Sequence, residues 1–216
     1  MVFILAQIRF GLTFLGFRFY HYMLPQEKKM EISNTLYVTN RKDWRTWLAK
    51  YFDKKHEIWL IFPHISSGKP RIPYNDAVEE ALCFGWIDST IKKAGDESSA
   101  QRFSPRNPKS PFSQPNKERL RWLLKEKKLH PTVQEQVEKV LKEKYVFPPD
   151  ILKALKDDKE AWKYYQKFSP GYRRIRVAYI DAARKRPEEF KKRLSNFIKK
   201  TKENKQIGFG GIEKYY

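Results

Sequence analysis

The sequence predicts an α+β protein whose first half is a sheet-and-helix domain and whose second half is helical, and three observations carry that reading. Ile58 to Phe62 (IWLIF) is an apolar run of strand length. Trp86 to Ser104 reads as two strands about the Ala94-Gly95-Asp96 turn. Beyond Asn116 apolar residues recur at helical spacing to the end of the regular pattern. With 216 residues, 40% hydrophobic and 15% aromatic, the chain is long enough for one large domain or one domain with an appended helical part.

The elements follow in order. Leu36, Tyr37 and Val38 form a short strand, and Asn40 caps a helix in which Asp43 helps the exposed amides. Trp44, Trp47, Leu48 and Tyr51 follow the i, i+3, i+4, i+7 rule and give that helix an aromatic core face. IWLIF is expected to be buried on both faces, and Ser66 to Pro70 turns the chain. Pro73 opens a helix carrying Tyr74, Val78, Ala81, Leu82 and Gly85 on one side, and Gly85 ends it through a positive φ. Strands from Trp86 toward Lys92 and from Gln101 to Ser104 make a hairpin. Pro105 to Pro115 holds four prolines in eleven residues and is an ordered loop or linker.

In the second half Leu120, Leu123 and Leu124 share a face, and Thr132 with Glu135 reads as a capping box. Pro148-Pro149 breaks the chain before Ile151, Leu152 and Leu155. Ser169-Pro170 is a cap followed by proline at the first helical position. Residues 201–216, basic and then glycine-rich, are expected to pack loosely or not at all. The organisation expected is therefore an N-terminal extension at 1–30, an α+β domain at 31–115, a helical region at 116–200 and a tail. The extension is apolar, but Arg9 and Arg18 interrupt it too often for a spanning helix, and they fall on opposite helical faces. An over-extended gene start, with Met23 or Met30 as initiator, explains it best, and a membrane-associating arm is the alternative.

The net charge of +20 is uneven: residues 1–115 contribute +6 and residues 116–216 contribute +14. Such a field favours an acidic partner, whether nucleic acid, an anionic small molecule or an acidic protein. One cysteine, Cys83, excludes an internal disulfide and a cysteine-cluster metal site and suits a cytoplasmic setting. A periplasmic or membrane-associated location is the alternative if the first 24 residues are native. No cofactor or metal is expected, because no histidine or cysteine spacing suits a ligand set.

Candidate chemistry is concentrated between Gly68 and Ser113. Lys69, Asp88, Gln101, Arg102, Arg106 and Ser110 supply many donors and few acceptors, a composition suited to an anion. Asp88 with Arg102 is the pairing an enzyme acting on a small anionic substrate would use. Glu79 and Glu80 are adjacent on a helix and diverge by about 100°, so they do not form a catalytic pair. Cys83 lacks a base in an identifying motif and reads as a buried small residue. Arg173, Arg174, Arg176, Arg184, Lys185 and Arg186 would contact the phosphates if the chain bound a polyanion, and reversal of Arg173, Arg174 and Arg176 is expected to leave the melting temperature nearly unchanged.

Trp59, Gly68-Lys69-Pro70, Tyr74, Ala77 to Asp88 and Gln101 through Ser110 and Ser113 give the chain its resemblance to the YdeI/OmpD-associated, or bacteriocin-protection, family. Weaker echoes are Pro149-Asp150, Tyr179-Ile180, Ala183 and Arg193. Phe112 departs from the family's usual tryptophan, and ARKRPEEF departs from its late-helix pattern. The resemblance implies a YjbR/CyaY-like (frataxin-like) two-layer fold with an antiparallel sheet for the first part, helices after it and no established catalytic residues. The family's names imply resistance to bacteriocins, antimicrobial peptides or stress. A non-enzymatic binding role is expected from the residues themselves, which show no nucleophile–base or metal constellation beside a strong cationic bias.

Overall fold

In the computed structural model, strand β1 (Thr35–Leu36), helix α1 (Arg41–Tyr51) and strand β2 (Ile58–Pro63) make one β-α-β unit. A crossover helix returns the chain to the end from which it left, so β1 and β2 run parallel, Thr35 opposite Trp59. The sheet is consequently mixed, which corrects the expectation of a wholly antiparallel one. β3 (Trp86–Lys93) and β4 (Ser98–Pro105) form the hairpin about Gly95, and β4 also pairs antiparallel with β2, giving the order β1-β2-β4-β3. The structure describes residues 31–208 and 210–215, of which those from Ile32 onward form one compact unit. The expectations for residues 1–30 lie outside the described residues.

Local chemistry sets the helix ends. Asn40 Oδ1 accepts the Asp43 amide at 3.0 Å, as the cap-and-Asp43 pattern implies. Trp44 and Leu48 point from α1 into the sheet and are fully buried, and the Trp44 indole N–H donates to the Ala77 carbonyl at 3.0 Å. That bond fixes α1 against α2 (Tyr74–Cys83). Ile58, Leu60, Phe62, Trp86 and Phe103 face these helices, and α3 (Gln114–Lys125) and α4 (Pro131–Lys142) close the same core with Leu120, Leu123 and Val137. α4 starts earlier than the Thr132–Glu135 box implies. Pro131, which lacks an N–H and has a preset φ, takes the first helical position, and His130 caps through Nδ1.

A second core is helical. α5 (Pro149–Asp157), α6 (Lys159–Tyr165), α7 (Pro170–Asp181) and α8 (Pro187–Lys202) bury Ile151, Leu155, Tyr165, Tyr172, Ile180 and Phe197 together. Ser169 caps α7 through the Tyr172 amide at 3.1 Å. Ile175, Ile212, Tyr215 and Trp122 make a small cluster where the two cores approach. The tail is therefore packed, against expectation: Ile212 and Tyr215 are buried, and Glu213–Tyr215 forms a 3-10 turn.

Gly85 has a φ of 73°, and a Cβ there would lie 2.9 Å from Val133 Cγ1 on α4. Gly85→Ala combines left-handed strain with a side-chain clash, so it should lower stability by about 2 kcal/mol. Chemical denaturation reads this directly, and an unchanged midpoint would contradict it.

Candidate functional site

The turn Cys83–Gly85 organises the surroundings of a cleft. The Gly85 carbonyl accepts the Arg106 amide at 2.9 Å, and the Cys83 carbonyl accepts the His130 amide at 2.8 Å. One short turn thus anchors both the loop after β4 and the start of α4. Between them lies a cleft of about 270 Å³ lined by Arg106, Lys109, Ser110, Phe112, Lys117, Gln136, Val140 and Glu143, with prolines 108 and 111 stiffening its loop wall. Within that loop Asn107 Oδ1 accepts the Lys109 amide at 2.9 Å, and the Asn107 carbonyl accepts the Ser110 amide at 3.1 Å.

Arg106 is the guanidinium that lines this cleft. Its guanidinium carbon lies 3.5 Å from the centre of the Phe112 ring, which holds one face of the cation flat. Its Nη2 is buried with no hydrogen-bond partner, and no carboxylate among the described residues forms an ion pair with it. Burial, without a compensating anion, pushes its pKa down. Arg106 also borders a space of about 30 Å³ lined by Leu82, Gly85, Phe112, Leu120, Val133 and Val137, where Gln136 is the other polar side chain, so water finds few polar partners there. An anion at the exposed edge would meet a cation backed by low dielectric, where charge–charge attraction is strengthened. At the cleft mouth Lys117 Nζ lies 2.7 Å from Glu143 Oε2, joining α3 to α4.

Of the six residues read as an anion site, Arg106 and Ser110 meet in this cleft and the others do not. Lys69 pairs with Glu97 at 3.1 Å near the hairpin tip. Gln101 is buried and donates to the Ser89 carbonyl at 3.3 Å. Arg102 donates Nε to Glu57 Oε2 at 2.7 Å and pairs across the sheet with Trp59. Asp88 accepts the Tyr74 hydroxyl at 2.6 Å and lies opposite Phe103 in register. Successive strand residues face opposite ways, so Asp88 and Arg102 occupy opposite faces of the sheet and do not converge on one atom.

The basic set in the second half is also divided. Arg174 holds the buried Glu118 through two bonds of 2.7 and 2.9 Å. Arg176 is 4% exposed and lies over the Tyr179 ring, and Arg173 lies over Tyr165. Arg184 clasps Asp150 at 2.8 and 3.0 Å and also bonds Asp181. Lys185 and Arg186 are exposed. Neutrality of reversal therefore does not extend to Arg174, which holds a buried carboxylate, or to Arg176, which is itself buried.

Sequence reasoning missed a network of buried carboxylates. Glu79 is fully buried and accepts from Arg41, the Tyr215 hydroxyl and Lys214 Nζ, the last at 2.6 Å. Burial alone would push its carboxyl up, but these donors outweigh it and hold the group below the usual carboxylate range. Glu80 pairs with Arg45 at 2.6 Å. Glu118, 4% exposed, accepts from Arg174, Arg121 and Gln114 and is likewise held low against the upward push of burial. The wide apolar arc of α2, in which every residue from Ala77 to Cys83 is buried, is the signal that could have found Glu79 and Glu80. Burial pushes the Cys83 thiol up to about 11, which agrees with a packing role. Among the described residues no group of three metal-binding side chains is gathered.

Residues 36–136 match a domain of unknown function (DUF8412). No curated protein and no solved structure matches the chain. The dense stretch from Gly68 to Ser113 thus falls within the domain of unknown function, which shifts the weight of the family resemblance to the later echoes. Asp150, Tyr179, Ala183 and Arg193 lie in the second half, where Arg193 donates to the Tyr179 carbonyl at 2.7 Å and Asp150 holds Arg184. Residues 144–204 match the family described as Bacteriocin-protection, YdeI or OmpD-Associated.

Proposed function

We propose that this protein is a non-enzymatic binding protein that takes a small anionic ligand in the Arg106 cleft. The observation that carries the reading is a half-buried guanidinium, flattened on Phe112, with an unpartnered Nη2 and no carboxylate paired to it. A desolvated cation costs free energy unless an anion completes it. Arg174, Arg102 and Arg41 each sit on a carboxylate, and Arg173, which also stacks on a ring with an unpartnered nitrogen, lies outside the cleft; Arg106 is the stacked, unpaired guanidinium that lines it. The divergence of Asp88 and Arg102 weighs against the alternative of an enzyme built on that pair. The biological setting we propose is stress or antimicrobial-peptide resistance, in keeping with the bacteriocin protection for which the matched family is described, and a cytoplasmic location. A YjbR/CyaY-like kinship for residues 31–115 belongs to the same reading and rests on helices layered over one sheet face.

Arg106→Met should weaken anion binding by roughly 10- to 100-fold, the worth of charge-assisted hydrogen bonds. It should shift the melting temperature by no more than about 2 °C, because no ion pair is broken. Calorimetric titration with inorganic phosphate and a thermal melt of the same samples provide both readings. Equal phosphate affinity in the two proteins would refute the site. Polyanion binding through Lys185 and Arg186 is a second reading, supported by their exposure and by the charge of the second half. A phosphate-backbone mode predicts a steep salt dependence, roughly 0.9 log units of affinity per contact per log unit of salt on duplex DNA.

A further inference from the structure

We infer that Glu143 is a resident competitor of the Arg106 cleft, and that a compact dianion of the phosphate type displaces it from Lys117 on binding. This rests on the cleft being an anion site. The cleft wall carries three cations, Arg106, Lys109 and Lys117, and one carboxylate, Glu143. Lys117 Nζ is 2.7 Å from Glu143 Oε2, so that ammonium is engaged by a partner within the chain.

The two partners are held very differently. The Lys117 side chain is 19% exposed and rises from the first turn of α3, whereas Glu143 is 65% exposed and stands at the C-cap of α4, where the helix has already ended. Glu143 can therefore swing to water at little cost, since an exposed ion pair contributes little. Lys117 stays at the cleft wall and its ammonium is freed to turn inward. A carboxylate beside an incoming anion also repels it, so release removes a repulsion and adds an attraction in one movement.

The charge balance selects the ligand class. With Glu143 in place the lining carries three positive charges and one negative, and with Glu143 turned out the three cations face one small volume. A cleft of about 270 Å³ is below the usual range for drug-sized ligands, which leaves room for a phosphate group with a small organic substituent. Arg106 offers a planar edge suited to two oxygens, and the lysines act as point charges on a third. A monocarboxylate would leave one lysine unanswered. An extended dicarboxylate would separate charges that the cleft brings together.

The test is a double-mutant cycle on the full chain, with inorganic phosphate at about pH 8, where it is a dianion. Glu143→Gln should tighten phosphate binding about five-fold, and Lys117→Met should weaken it about ten-fold. In the doubly substituted protein most of the gain from Glu143→Gln should be lost, because there is no ammonium to release and only the repulsion is relieved. If Glu143→Gln does not tighten binding, or tightens it as much without Lys117, displacement is wrong while the Arg106 site stands. If neither the parent nor Glu143→Gln binds phosphate in an Arg106-dependent way, the site itself is wrong. Acetate should bind at least ten-fold more weakly than phosphate, and acetate or succinate binding as tightly as phosphate overturns the ligand class. Circular dichroism melts of each variant separate lost binding from lost fold.

Discussion

Arg174→Glu should lower the melting temperature by about 10 °C, from a loss of roughly 3–5 kcal/mol at about 2–4 °C per kcal/mol for a chain of this size. Glu118 is 4% exposed and sits on α3, while Arg174 sits on α7, so the pair ties the two cores together. Arg174 supplies two of the bonds that satisfy Glu118, and Arg121 and Gln114 supply the others at 2.7 and 2.6 Å. Reversal removes both of the Arg174 bonds and places a second carboxylate against the buried first one. Lys185→Glu is the control: it changes the net charge equally on an exposed side chain and should leave the melt within about 1 °C. Equal melting of the two variants would show that Glu118 and Arg174 are not coupled as described.

This contrast also marks what the sequence disclosed. Caps, turns and strand runs were legible because their causes are local. Asn40 and Asp43 are three apart, Ser169 precedes its proline, and Gly85 and Gly95 carry the positive φ their turns demand. The α+β class followed from such signals. The parallel β1–β2 pairing was not legible as a register, because strand periodicity fixes which side chains share a face and not which way a neighbour runs.

The candidate site was partly legible for the same reason. The loop composition around Arg106 pointed to an anion, but composition counts donors without saying which are already engaged. Arg102 finds Glu57 and Lys69 finds Glu97 through pairings 45 and 28 residues apart. Arg106 differs from them only in what its surroundings lack, which no sequence window contains. The buried carboxylates were hidden likewise, since charged residues in a helix ordinarily face water and Glu79 finds its tyrosine 136 residues away.

The tail lies beyond both family matches and still joins the segments they cover. Ending the chain after Gly208 should cost about 5 kcal/mol or more, a fall of roughly 10–20 °C in melting temperature. The loss has two parts. Ile212 and Tyr215 leave the cluster they make with Trp122 and Ile175, with about 1.5–3 kcal/mol for each large side chain exposed. Glu79 loses Lys214 and Tyr215 and keeps Arg41, so a fully buried carboxylate is left under-satisfied. The intact contact is close: a Cβ on Gly171 would collide with the Tyr215 carbonyl, so the backbones of α7 and the tail meet without an intervening side chain. The pH dependence identifies which part dominates. In the intact protein the Glu79 pKa is depressed, so its contribution is present above the unfolded value of about 4.3 and is lost as pH falls through the lower folded value. Without the tail, burial regains weight, the folded pKa rises toward or past the unfolded one, and that contribution shrinks. The gap in melting temperature between intact and shortened proteins should therefore narrow from pH 7 to about pH 3.5. A gap that stays constant with pH would assign the clasp to apolar packing alone, and a shortened protein melting within about 2 °C of the intact one would remove the clasp altogether.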